Sequence, residues 1–321
     1  MALHKPSGRW QLGLYLSLVT AVFWGVLPLA LQLVLVSLDA MTLVWFRFLV
    51  AAIFVAALLG HRKALPRLGG RSGRSYTLIA VTVVGLLLNY VFFTLGLHWT
   101  TPETAQVLIQ LSPVMFLVGS VVIFGERLSR LQTAGIFIVL TGFGLFFHHK
   151  FGDMLQLNSR YAAGIGLLLF AGVAWAAYAL AQKQLLTEMP SASIMLIIYI
   201  GGALFTTPAI RPDTFAGLSG LGIGLLIFTA ANTIIAYGAF AEALQHWEAS
   251  RVSAVLSLTP IITIITVQTA HHFWPDTIPF EELPAWSYAG AGLVVAGSMM
   301  TSLGRGRRVN AVAVQLAESP T

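Results

Sequence analysis

The chain has 321 residues, of which 57% are hydrophobic and only 9% charged, with a formal net charge of +6 and a mean hydropathy of +0.82. An ordinary soluble domain carries roughly 25% charged residues, so a soluble globular protein and a disordered chain are excluded, and the lack of any cysteine excludes a disulfide scaffold and thiolate metal sites. Lipid is the remaining solvent: a helix crosses the hydrocarbon with about 20 apolar residues, so a chain of this length holds roughly ten to twelve spans.

Ten hydrophobic segments follow one another, at 12–36, 40–60, 76–98, 102–124, 131–148, 161–186, 191–210, 215–245, 250–274 and 284–303. Each is expected to be a helix. An open strand leaves its backbone groups unpaired in lipid, and no segment alternates with the period of two that a barrel strand needs. The first segment follows Lys5 and Arg9. Its length exceeds the roughly 7–15 residues of a signal-peptide core, so it reads as a retained span.

Polar and aromatic residues inside these segments are the candidates for function, because polar side chains in a lipid-embedded helix face a cavity or a partner. The first segment carries Trp24. The second carries Arg47, the one basic residue well inside a span. It is read either as an anchor for a substrate carboxylate or as a side chain reaching to the outer surface. The third carries Asn89 and Tyr90. The fourth opens Thr101-Pro102-Glu103, with Gln106 and Gln110 three and seven residues beyond Glu103 on one helix face. Thr, Pro and an acid in that order are a helix start, and the alternative for Glu103 is a proton or cation site at a cavity mouth. Trp175 and Tyr178 lie in the sixth segment, Asn232 and Tyr237 in the eighth. Each Asn is read as an interhelical hydrogen bond or a ligand contact. Glu242 is read as a coupling acid or as an interfacial acid that is solvated or paired with Arg251. The Gly220-Leu221-Gly222-Ile223-Gly224 run is expected to allow close helix packing.

Orientation follows from the basic residues. With a cytoplasmic N-terminus and alternating spans, 14 of the 18 Lys and Arg fall in cytoplasmic segments, three (Lys150, Arg160 and Arg211) fall outside, and Arg47 lies in a span. This bias calls for an even number of spans with both ends cytoplasmic.

The two halves repeat. Leu111-Ser112-Pro113-Val114 is matched by Leu258-Thr259-Pro260-Ile261. Glu126-Arg127-Leu128 followed by Gly135 is matched by Glu281-Glu282-Leu283 followed by Gly290. Val22-Phe23-Trp24-Gly25 is matched by Val173-Ala174-Trp175-Ala176. A unit of five helices used twice enters the membrane from opposite sides, an inverted repeat of the kind found in secondary transporters. The expected fold is therefore an all-α polytopic membrane protein of ten transmembrane helices in two inverted five-helix repeats. Its divisions are a cytoplasmic N-terminus (1–11), a first repeat (12–148), an outer linker (149–160), a second repeat (161–303) and a cytoplasmic tail (304–321).

On these residues the chain resembles the drug/metabolite transporter superfamily, EamA type, over roughly residues 12–303. It departs from that pattern in the His271-His272-Phe273-Trp274-Pro275 extension. The resemblance implies a transporter of the bacterial inner membrane, most often an exporter of amino acids, other small metabolites or toxic organic compounds. Similar transporters often carry an Arg followed by an aromatic on the second helix, here Arg47-Phe48.

The reading is a secondary carrier working by alternating access, probing two alternatives. Gly217-Leu218-Ser219-Gly220 matches a short string of intramembrane serine proteases, but ten duplicated spans do not fit that fold. A channel calls for a continuous polar lining, which these spans lack. The expected lining is Arg47, Trp24, Asn89, Gln106, Gln110, Trp175 and Tyr237, with Glu103 and Glu242 as candidate coupling acids. The expected partners are a small-molecule substrate and the lipid bilayer. No enzyme activity, cofactor, metal or nucleic acid is expected.

Overall fold

The computed structural model describes residues 8–124, 127–152, 159–278 and 282–304. Glu126 and Glu281 of the repeated motif, and the tail beyond Gly304, lie outside the described residues. The described residues form twelve α-helices: α1 (Trp10–Val34), α2 (Ala40–His61), α3 (Gly73–His98), α4 (Pro102–Ile109), α5 (Leu111–Phe124), α6 (Arg130–Phe147), α7 (Arg160–Leu185), α8 (Ser191–Thr206), α9 (Gly220–His246), α10 (Ala249–Leu256), α11 (Thr259–Phe273) and α12 (Ala285–Leu303). Nine helical stretches among them are long and apolar enough to cross a membrane. Helix α12, with 19 residues, is not one of the nine.

Local chemistry sets the helix ends. Asp39 caps α2 by accepting from the Met41 and Thr42 amides, both at 3.1 Å. Ser72, Ser159 and Ser219 cap α3, α7 and α9 in the same way. Ser129 and Gln132 form a reciprocal capping box at α6. The expected fourth and ninth spans are each broken into two helices, and proline explains where. Pro113 and Pro260 have no amide proton for the carbonyls of Ile109 and Leu256 four residues upstream, and α4 and α10 end on those residues. The eighth segment starts later than expected, at Gly220. Pro212–Gly217 forms a short 3-10 turn and Ser219 provides the cap.

The order of helix lengths recurs: 25, 22, 26, 8, 14 and 18 residues in α1–α6, then 26, 16, 27, 8, 15 and 19 in α7–α12. The main pairings are α6 with α12, α3 with α7, α1 with α9 and α2 with α8. All four are antiparallel by their contacts. In the α6–α12 seam, a Cβ on Gly135 would meet the Gly297 carbonyl oxygen at 2.7 Å, and a Cβ on Gly142 would meet that of Gly290 at 2.8 Å. The reverse contacts, Gly297 on Gly135 and Gly290 on Gly142, are both 2.7 Å. Helix backbones can approach this closely only where both sides lack a side chain. The Gly220–Gly224 run does not serve this purpose. Gly220 and Gly224 face open space, and Gly222 meets only Leu218 and Ser219 of its own cap.

Candidate functional site

Arg47 lies in the middle of α2, where aromatic and β-branched neighbours continue the helix, and it is 3% exposed. A cation at this depth is retained only against compensating groups. Its Nε donates to Thr233 Oγ1 of α9 at 3.2 Å, and Thr233 in turn donates to the Thr229 carbonyl oxygen at 3.1 Å. Its guanidinium carbon lies 4.7 Å from the centre of the Tyr90 ring, a cation–π distance. Tyr237 and Tyr199 are its other electrostatic neighbours. Among the described residues Arg47 forms no ion pair. The site is thus built by α2, α3, α8 and α9, with one cation among three phenols and no ion-pair partner for it among the described residues.

Aromatic packing fixes the walls. The Phe48 ring packs tilted against Tyr90 and Tyr199, with ring centres 4.7 Å and 6.0 Å away. The face of α8 at Gly202 leaves room for Phe48, where a Cβ would collide with the ring. Trp24 of α1 meets Tyr237 edge-on at 5.3 Å and Phe240 at 5.8 Å. Such ring pairs hold one another at defined angles. Tyr90 and Tyr237 occupy corresponding positions of the two halves, separated by the same interval as Pro113 and Pro260, and they approach closely enough to interact. The sequence reading selected Tyr237 for the lining but not Tyr90 or Tyr199. The shared interval between Tyr90 and Tyr237 was the available signal.

The other residues singled out from sequence fall elsewhere. Trp175 packs against Phe116 and Tyr178, both at 6.4 Å. Asn89 donates to the Ala171 carbonyl oxygen at 3.0 Å, tying α3 to α7. Asn232 donates to the Phe23 carbonyl oxygen at 2.6 Å, tying α9 to α1. Gln110, at the end of α4, donates to the Ser257 carbonyl oxygen at 3.3 Å and to Thr259 Oγ1 at 3.2 Å, so the two helix breaks touch. Gln106 is buried in α4. Glu103 is buried in the first turn of α4, behind Thr101, whose hydroxyl accepts from the Thr104 amide at 3.2 Å. Glu242 is exposed and lies 3.1 Å from His246, while Arg251 pairs with Glu248 at 3.1 Å. No group of three or more potential metal ligands occurs among the described residues.

Comparison with known proteins gives these features a context. The family model for the EamA-like transporter family matches residues 11–147 and 162–303. The chain is 38% identical over 294 residues to an uncharacterized transporter of Haemophilus influenzae, covering 91% of this chain and 95% of the relative. It is 36% identical to the uncharacterized inner membrane transporter YhbE of Escherichia coli, covering 91% and 92%. A probable amino-acid metabolite efflux pump of Salmonella typhimurium is 22% identical, covering 90% and 94%. A solved crystal structure matches with a TM-score of 0.60 at 15% identity, over 91% of this chain and 97% of that one, which shows a shared fold. With its apolar helices and this match over both halves, the chain is a multi-pass membrane transporter that belongs to the EamA-like transporter family.

Proposed function

We propose that this protein is a secondary carrier of the bacterial inner membrane that exports amino acids or related small carboxylates by alternating access. The observation that carries the substrate class is Arg47, buried among Tyr90, Tyr199 and Tyr237 with no acid paired to it among the described residues. A buried guanidinium with spare donors favours a carboxylate, which it binds through two parallel hydrogen bonds. The same charge repels organic cations. Trp24 and Tyr237 wall the site, and Gln106 supplies a polar group on α4. Asn89 and Gln110 enter this reading as ties between helices, and Trp175 as packing beside the wall. The acid assigned to proton coupling is Glu103, and Glu242 is left at the surface. The amino-acid metabolite named for the Salmonella relative agrees with a carboxylate substrate.

The mechanism needs two halves of opposite orientation, and the proposed arrangement is ten spans in inverted repeats, 12–148 and 161–303, with both termini cytoplasmic. Three observations support it: the recurrence of helix lengths, the reciprocal pairing α1–α9 and α3–α7, and the antiparallel glycine seam. Helices related in this way exchange environments when the halves rock, and the site opens first to one side and then to the other.

The test is counterflow in proteoliposomes loaded with a mixture of amino acids, with and without a pH gradient. Saturable exchange of a carboxylate solute is expected. Exchange of organic cations in its place would overturn the substrate class. Flux that never saturates would overturn the carrier.

A further inference from the structure

At the end of the molecule that carries the basic loop 62–72, one acid joins the two halves. Glu188 lies in the turn between α7 and α8. Its Oε2 accepts from Ser75 Oγ, in the first turn of α3, at 2.6 Å. The same oxygen lies 3.7 Å from a terminal guanidinium nitrogen of Arg71. Ser75 and Ser72 lie 2.9 Å apart through their hydroxyls, and Arg71 Nε donates to the Arg67 carbonyl oxygen at 3.3 Å. Glu188 therefore ties a loop of the second half to the start of a helix in the first. At 2.6 Å the bond has the length usual between a hydroxyl and a carboxylate.

The opposite end carries a counterpart built mainly from neutral groups, with one long contact to a carboxylate. The Arg211 amide donates to Thr42 Oγ1 at 2.8 Å, Trp45 Nε1 donates to Thr207 Oγ1 at 3.1 Å, and Thr214 Oγ1 reaches Asp39 at 3.5 Å. Here the start of α2 meets the segment that precedes α9. At the basic end, the turn that precedes α8 meets the start of α3. The two ties thus join corresponding elements with the halves exchanged. Beside the Glu188 turn, Ile79, Thr82, Val83, Leu185, Met189 and Ile198 surround a narrow apolar recess too tight for a water molecule.

We infer that Glu188, held by Ser75 and Arg71, is the gate residue of the basic end of this carrier, and that releasing it opens the recess beside it. The inference rests on the alternating-access reading, since a gate has work to do only if the halves move. A carrier must hold one end shut while the other opens, and each tie spans the boundary that has to part. The tie at the basic end is the tighter one, since the Glu188 carboxylate lies 2.6 Å from Ser75 with Arg71 beside it while Asp39 is 3.5 Å from Thr214, so its removal shifts the population more than removal of any one bond opposite.

The absence of cysteine makes a direct test available. Thr82→Cys places a thiol in the recess at a position 1% exposed, and nanodiscs leave both faces open to a polar maleimide. Protection is expected in the parent background. Glu188→Ala should raise the labelling rate about ten-fold or more, as loss of a hydrogen bond to a charged acceptor implies. Glu188→Gln should raise it less, because the amide keeps an oxygen for Ser75. The exchange pair Arg71→Glu with Glu188→Arg should restore protection in part. A second reporter, Ala291→Cys in the α6–α12 seam, should stay protected throughout. Unchanged labelling at position 82 in Glu188→Ala would overturn the gate. A parallel rise at position 291 would overturn it too, since it would report general loosening. The labelling needs no substrate, so it separates the two claims: saturable counterflow with ungated labelling sinks the gate alone, and gated labelling without counterflow sinks the proposed carrier alone.

Discussion

Asn232 reaches from α9 to the backbone of α1, where its amide donates to the Phe23 carbonyl oxygen at 2.6 Å while its own carbonyl oxygen is buried without a partner. Such a bond joins helices from the two halves in a medium that offers no water as a substitute. Asn232→Ala is expected to lower stability by roughly 0.5–2 kcal/mol, the range of interhelical hydrogen bonds in membranes. Thermal unfolding in detergent checks it, and the apparent KM for substrate should not move. A changed KM with unchanged stability would make Asn232 a ligand contact.

Arg47 should behave differently. Arg47→Ala is expected to cut transport of carboxylate substrates roughly ten- to hundred-fold, the cost of a charge-assisted hydrogen bond, and to spare neutral analogues. Arg47→Lys keeps the charge but loses the fork to Thr233 and substrate, so it should fall between parent and alanine. Proteoliposome flux with paired charged and neutral solutes measures this, with gel filtration to confirm folded protein. Equal losses for both solutes would make Arg47 a structural cation.

Gln110 holds the two helix breaks together through Ser257 and Thr259. Gln110→Ala leaves the Ser257 carbonyl without this donor and should cost about 1–3 kcal/mol. Thermal unfolding measures the loss, and Gln110→Glu, which cannot donate when ionised, should not recover it at neutral pH.

Glycine in the α6–α12 seam is required by contact, not by backbone conformation. Gly297→Ala puts a methyl 2.7 Å from the Gly135 carbonyl oxygen, so the helices must move apart. Overpacking of this kind costs typically about 1–3 kcal/mol. Gly144→Ala, also in α6 but facing open space, should be neutral or stabilising by up to about 1 kcal/mol from helix propensity. The yield and unfolding temperature of the two variants, compared side by side, decide the point.

Much of the fold was legible in the sequence because lipid leaves little choice. Apolar segments of span length must be helices, and Pro113 and Pro260 mark where two of them break. The extent of α9 was not legible, since the residues from Phe215 to Leu218 are apolar enough to join a span while Pro212 and the Ser219 cap exclude them from the helix. Arg47 stood out as a lone buried charge. Its surroundings did so only in part: Tyr90 and Tyr237 stand out as mid-span candidates, but Tyr199 looks like an ordinary span residue until four helices converge on it. Glu188 was invisible for a related reason. An acid in a short turn is an ordinary surface residue, and only packing brings it to Ser75, more than a hundred positions away in the chain.

The glycine seam has a consequence for how the two halves fit together. Gly135 meets Gly297 and Gly142 meets Gly290, while Gly135 corresponds in the repeat to Gly290 and Gly142 to Gly297. Each glycine of α6 therefore touches the counterpart of the other, and a surface that does this is complementary to itself. Two copies of one such unit can pair through this surface in opposite orientation, which is what the proposed inverted repeat calls for. Away from the seam the halves differ: the eighth residue of the helix is Arg47 in α2 and Ile198 in α8.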